Sequence, residues 1–275
     1  MRCLAASAAL ICLLAGCGHG EKTPDAATAS ASPAPVAMAS AVANASISSP
    51  SAPARKVAIS NDMIEFDYAY PAAAAAIPAL KSYFDSDLAS QQHSLEDSAR
   101  SGKADAKQGG YDYHPLSYSA DWKVVTDLPN WLSLSTVIGT YEGGAHPNAA
   151  FDAMVWDRTA NLKRNPIDLF VSKQKLSAAI RPEFCRQIDA QRAAKRGAPV
   201  QHGTDEMFTD CLDPTDSTII LGSSNHHTFD RIGVLVAPYD AGPYAEGTYE
   251  VTLPVTPAVL AAVRPEFQSS FALKR

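Results

Sequence analysis

The stretch Thr140-Tyr141-Glu142-Gly143-Gly144-Ala145-His146-Pro147-Asn148 gathers a phenol, a carboxylate, an imidazole and an amide around two glycines. Glycine permits positive φ and close backbone approach, so the pair reads as a reversal between two strands. Two readings stand side by side. In one, a Gly-rich turn lets Tyr141 and His146 pack locally. In the other, a surface loop presents Tyr141, Glu142, Gly143, Gly144, His146 and Asn148 to a ligand. His146 beside Glu142 or Asp152 also has the parts of a general-base pair for an envelope hydrolase, although no nucleophile is indicated for it. The other histidines, at 19, 93, 114, 202, 226 and 227, are scattered. His226 and His227, if in a strand, point to opposite faces and cannot chelate one ion together. No His-Glu-x-x-His, Gly-x-Ser-x-Gly or Walker pattern occurs. No catalytic residue, metal site or cofactor is therefore assigned, and binding is preferred to catalysis. Asp205-Glu206 and Asp213 read as a solvated loop face.

The N-terminus bears on where such chemistry would operate. Arg2 precedes a 12-residue apolar run over residues 3–14. A helix needs about 20 residues to span a bilayer, so the run has the proportions of a secretory signal. Leu14-Ala15-Gly16-Cys17 then resembles the lipobox of bacterial lipoproteins. The resemblance implies a signal peptide over 1–16 and acylation of Cys17. Two or three acyl chains, at about 0.8 kcal/mol per buried methylene, hold a protein firmly at a membrane. Gly18 stands where inner-membrane retention has Asp, which implies an outer-membrane anchor facing the periplasm if the host is Gram-negative. Between Pro24 and Arg55, 24 of 32 residues are Ala, Ser or Pro. That composition cannot bury enough apolar surface to offset the cost of ordering the backbone, so 17–56 reads as a lipidated, disordered tether.

Five cysteines are present. Cys3 and Cys12 leave with the signal and Cys17 is lipidated. Cys185 and Cys211 remain as an even pair in an oxidising compartment. They read as one disulfide, with two buried thiols as the alternative. The charges, 23 Lys+Arg against 29 Asp+Glu, give a net of −6. No basic cluster occurs beyond Lys195-Arg196, which disfavours nucleic acid.

These groups need a scaffold. Hydrophobic residues make up 46% and charged residues 19%, as in a globular domain. Ile64-Glu65-Phe66-Asp67-Tyr68-Ala69-Tyr70 alternates as a half-buried strand. A helix follows Pro71 to about Gln92, with a polar stretch, helical or loop, to Gly110. Strands are expected over 111–125, 128–142 and 151–156, a long helix over 172–196, then strands over 217–221, 228–236 and 248–254 and a short terminal helix over 257–263. Trp122, Trp131 and Trp156 are read as core residues in preference to a glycan platform. The heptapeptide at 178–184 nearly recurs at 261–267 and is read as two similar helix segments near a proline. Strands and helices mix without regular βαβ alternation, so the fold class is α+β.

The Tyr-x-Gly-Gly-Ala-His motif, the upstream Tyr68-Ala69-Tyr70-Pro71 segment, the connector Ile167-Asp168-Leu169-Phe170 and the strand–turn–strand around Pro238-Tyr239-Asp240-Ala241-Gly242-Pro243-Tyr244 resemble an extracytoplasmic domain family. It occurs in the lysozyme-sensing anti-sigma factor RsiV and beside the deacetylase domain of PdaC. The likeness spans about residues 57–255. It implies two closely associated subdomains, a PdaC-like one over 57–138 and an RsiV-like one over 139–275. It further implies a cell-wall setting with peptidoglycan or a lysozyme-type protein as partner. Pro147 departs from the Gly that often follows the family's His.

Overall fold

The computed structural model describes residues 52–203 and 207–274. The expected signal peptide, the lipidated Cys17 and the tether up to residue 51 lie outside the described residues, as do Asp205 and Glu206. β1 (Arg55–Ser60) takes in Arg55 and Lys56, which composition had placed in the tether, because it pairs antiparallel with β2 (Ile64–Tyr70). The alternation in β2 behaves as expected: Ile64, Phe66, Tyr68 and Tyr70 are buried and Glu65 is exposed. After the short α1 (Ala72–Ala75), Pro78 opens α2 (Pro78–Gly109) at a position where its missing N–H is not needed. The helix continues through the polar stretch beyond Gln92 and stops only at Gly110, in the left-handed conformation (φ 68°) that favours glycine.

α2 carries the chain back to β3 (Leu116–Asp121), which lies parallel to β2. The single strand expected over 111–125 is two. β4 (Lys123–Asp127) follows Trp122, whose N–H donates to Ala69 O (2.9 Å) and whose ring meets Phe84 edge-on. β3 pairs with the last third of β5 (Trp131–Tyr141) and β4 with its first half. β6 (Asn148–Asp157) and β7 (Leu162–Arg164) complete a seven-stranded sheet in the order β1-β2-β3-β5-β6-β7, with β4 also on β5. A one-turn 3-10 helix (Pro166–Leu169) leads to α3 (Lys173–Arg196), N-capped by the Ser172 hydroxyl and ended by Gly197 at φ 70°. β8 (Thr218–Gly222), β9 (Arg231–Val236) and β10 (Tyr249–Pro254) form an antiparallel sheet of three, followed by α4 (Pro257–Ala262). The architecture is α+β.

Two apolar cores result. One packs Phe66, Tyr68, Leu80 and Phe84 with Trp122 and Trp156. The other packs α3, through Leu176, Ile180, Phe184 and Ile188, on the three-stranded sheet and also takes in Trp131. All three tryptophans are buried. β5 runs unbroken through the 138/139 boundary expected between subdomains, and Val155 on its partner β6 belongs to the second core. Trp131 Nε1 donates to Ser270 Oγ (2.9 Å) and Thr218 Oγ1 to Phe151 O (3.1 Å), which ties the second core to the large sheet. The heptapeptide echo does not give two like helices. At 178–184 it lies inside α3 despite Pro182, whereas at 261–267 helix α4 ends and Arg264, extended at ψ 142°, precedes Pro265. His226 and His227 sit in the β8–β9 loop, with His226 at φ 60°, so the opposite-face argument for a strand does not apply to them.

Cys185 of α3 and Cys211 are joined by a disulfide, with Cα atoms 5.5 Å apart and a sequence separation of 26. Native, unreduced protein is expected to give no alkylation at either position. Reduction removes about 3 kcal/mol of loop-closure restraint, or roughly 6–12 °C of melting temperature for a domain of this size. A second expectation concerns alkaline pH. Burial, reinforced by the bond to Asp85, pushes Tyr70 up to about 12, and burial, reinforced by the charges of Asp87 and Asp152, does the same to Tyr118. Phenols raised on folding stabilise the fold fully below the unfolded value of about 10 and lose that contribution as pH rises through about 12. Circular dichroism should therefore be flat across pH 7–10 and the fold should weaken steeply between pH 10 and 12. Unfolding complete by pH 9 would contradict this burial.

Candidate functional site

The β5–β6 register ends at Thr140 opposite Asn148, and the chain between them reverses through Gly143 at φ 88°. A side chain at that φ is strained, which accounts for one glycine of the motif. Tyr141 is half-buried at the end of β5, opposite Ser117 of β3, while Glu142 through Asn148 are exposed. The turn that packs only on itself is thus not what forms. His146 instead meets a second loop, between β9 and β10. Its ring stacks on Tyr244 (centroids 4.0 Å, 25°), and Tyr239 lies beside both, 6.3 Å from His146 and 5.6 Å from Tyr244.

Hydrogen bonds fix the arrangement. His146 Nδ1 donates to the Pro147 carbonyl (2.8 Å), leaving Nε2 to accept from the Tyr239 hydroxyl (3.2 Å). The Tyr244 hydroxyl donates to the same Pro147 carbonyl at 2.7 Å. Both imidazole nitrogens are therefore engaged by neutral oxygens, and neither by a carboxylate. This corrects the general-base pairing with Glu142 or Asp152. Glu142 lines a groove against α2. Asp152 lies opposite Thr136, four residues and about 13 Å along β6 from Asn148. Burial raises the Asp152 carboxyl, which accepts the Ala153 N–H at 2.7 Å.

The second loop is held from beneath by the basic end of α3. Arg192, 1% exposed, donates through Nε to Ala241 O (2.8 Å) and through Nη1 to Asp210 O (3.0 Å) and Asp189 (3.2 Å). One turn on, Arg196 grips Glu246 with two parallel bonds, Nε to Oε1 at 2.8 Å and Nη2 to Oε2 at 3.1 Å. Lys195 Nζ reaches the carbonyls of Glu246 and Thr248 and sits 3.6 Å from the Tyr249 ring centroid. The Tyr249 hydroxyl donates to Glu246 Oε2. Burial works against the charge on Glu246, but the Arg196 guanidinium and the Tyr249 hydroxyl hold its carboxyl below the ordinary carboxylate range. Burial and the same bond push Tyr249 up to about 12. A Cβ on Gly242 would overlap the Glu246 carboxylate, so that close approach requires glycine.

Tyr239 carries the strain of the site. It is a bulky residue at φ 73°, and half of its surface is exposed. Backbone strain of this kind costs about 1–3 kcal/mol and persists where the surroundings over-determine it. Here the loop is pinned on both sides, by Ala241 and by Glu246. The sequence had singled out Tyr141, Glu142, Gly143, Gly144, His146 and Asn148. Of these, the structure brings only His146 into the aromatic cluster, with Gly143 shaping the turn. Tyr239 and Tyr244 were not chosen as site residues, although the repeated Pro-Tyr of Pro238-Tyr239 and Pro243-Tyr244 was a visible signal. No metal-ligating group of three or more His, Cys, Asp or Glu occurs among the described residues.

Removing Arg196 leaves Glu246 part-buried without its counter-charge, so Arg196→Ala should destabilise the fold by about 2–3 kcal/mol in urea titrations. Glu246 is depressed on folding, so its contribution is present above its unfolded pKa of about 4.3 and is lost as pH falls through the lower folded value. The deficit of the variant should accordingly shrink below pH 4. An undiminished deficit at pH 3 would show that the ion pair is not its source.

Residues 57–149 match a family model described as "Deacetylase PdaC". No curated protein matches the chain. Solved structures that resemble it include two described as members of the DUF3298 family. One, from Bacteroides fragilis, has 15% identity and a TM-score of 0.47, covering 73% of this chain and 89% of the other. The second, from Pseudomonas aeruginosa, has 16% identity and a TM-score of 0.43, covering 81% and 97%. The matched segment runs from the first strand through the Tyr-x-Gly-Gly-Ala-His motif, about a third of the chain, and over that segment the chain is similar to the PdaC family.

Proposed function

We propose that this protein is a lipid-anchored, non-catalytic binding module of the cell envelope. Its ligand is cell-wall glycan or a wall-directed protein such as a lysozyme, engaged by the face that His146, Tyr239 and Tyr244 form. The observation that carries the reading is the strained, exposed Tyr239 on a loop fixed by two arginines. Tyrosine offers a large amphipathic contact at small entropic cost, and a pinned loop has already lost the freedom that binding would otherwise remove. The engagement of both His146 nitrogens by neutral oxygens supports binding over hydrolysis. The lipobox resemblance supports anchoring through Cys17, at the periplasmic face of the outer membrane if the host is Gram-negative, with 17–56 as tether. A net charge of −6 adds electrostatic steering toward a basic partner.

Two experiments test this. Cys17→Ser should move the chain from the membrane fraction to the soluble fraction, with loss of acyl mass from the N-terminal peptide; unchanged fractionation would refute the anchor. The soluble domain should be pulled down by peptidoglycan or by lysozyme without releasing muropeptides, and Tyr239→Ala or His146→Ala should weaken capture at least tenfold, about 1.4 kcal/mol. Muropeptide release by the domain alone, abolished in His146→Ala, would make it a hydrolase instead.

A further inference from the structure

On the other side of the Gly143-Gly144 turn, a groove of about 790 Å³ lies between α2 and the ends of β3 and β5. Its helical wall is one stripe, Gln91, Ser94, Leu95, Ser98 and on to Asp105, about 21 Å long at 1.5 Å per residue. The facing wall is Ser117, Tyr118, Thr140 and Glu142. We propose that this groove is a second binding site, one that takes a neutral N-acetylated oligosaccharide.

The lining carries the proposal. Among the described residues, no protein group bonds the hydroxyls of Ser94, Ser98, Ser117, Tyr118 or Thr140, so donors and acceptors line both walls with water as their alternative partner. Tyr118 is half-buried with its ring held against Phe66 (centroids 5.8 Å, 18°), which makes it a fixed platform for an apolar sugar face. Leu95, half-buried on α2, adds apolar surface between the hydroxyls, suited to an acetamido methyl. No Lys, Arg or His lines the groove, while Asp97, Asp105 and Glu142 do, so phosphates and other anions are excluded and sugar hydroxyls find charged acceptors. The volume falls within the usual range of ligand sites, about 300–1,000 Å³. Glu142 reaches this groove and His146, four residues on, the aromatic face, so one turn borders both sites. The inference deepens the binding reading above, because it commits this second site to glycan.

The test is calorimetric titration of the soluble protein with the tetramer of N-acetylglucosamine. Saturable binding is expected, weakened at least tenfold in both Ser98→Arg and Ser94→Arg, whose long side chains fill the groove, and retained in the remote surface control Glu266→Arg. Melting temperatures confirm that each variant folds. Absence of tetramer binding by the unaltered protein, or binding indifferent to both groove variants, overturns the proposal. Tri-lysine binding lost in those variants, with no tetramer binding, overturns it in favour of a basic peptide site. Capture of peptidoglycan and of lysozyme is scored in Tyr239→Ala and in Ser98→Arg alike: tetramer binding retained in Tyr239→Ala and lost in Ser98→Arg supports the groove, whereas capture unchanged in Tyr239→Ala overturns the aromatic-face reading alone.

Discussion

The grip of Arg196 on Glu246 is the contact on which the candidate site depends. Tyr239 and Tyr244 sit on a loop that leaves β9 and returns to β10, and their contacts with His146 and Pro147 are exposed, so the loop needs support from beneath. The carboxylate of Glu246 does so by accepting from Arg196 and Tyr249 at once, while Arg192, buried one turn earlier on α3, takes the Ala241 carbonyl. A part-buried charge is favourable only when paired and hydrogen-bonded. That requirement in turn fixes Gly242, whose missing Cβ leaves room for the carboxylate. It also explains why α3 ends in Lys195-Arg196, a pair that sequence alone leaves without a task. Cations at a helix C-terminus are favourable in themselves, and here they also set a loop.

From that anchor the geometry passes outward through stiff elements. The disulfide at Cys185 ties the middle of α3 to the segment that supplies the Asp210 carbonyl to Arg192. α3 is seated by four apolar residues on the three-stranded sheet. The long β5–β6 pair carries the Gly-rich turn to the same place, and its strands contribute to both cores. His146 and Tyr244 meet across about a hundred residues because two rigid supports converge. Their stacking adds about 1 kcal/mol of its own and depends on that convergence.

Much of this was legible in the sequence. The alternation of β2, the burial of the tryptophans, the cysteine pair and the reversal between two strands at 140–148 all follow from local pattern or from elimination. The α2 extension past Gln92 was not, because most of its residues are polar, its inner face is made by Leu95 and small alanines, and only Gly110 marks its end. Trp122 broke an expected strand in two for a tertiary reason, its contact with Phe84. The echoed heptapeptide shows the limit most plainly: nearly the same residues continue a helix through Pro182 in α3, whereas α4 ends at Ala262 and the chain is extended at Val263 and Arg264 before Pro265. In the site, His146 was visible and its partners were not, since aromatic stacking between distant loops has no periodicity. The pairing of His146 with Glu142 or Asp152 did not form for the same reason: carboxylates near in sequence lay on other walls.

Hydrogen exchange read by mass spectrometry, with and without saturating peptidoglycan fragments or lysozyme, tests the central claim most directly. The account requires simultaneous protection of peptides covering 142–148 and 238–247, with α3 protected beforehand and unchanged. Protection that appears elsewhere on the domain while both loops exchange as in the free protein would contradict it.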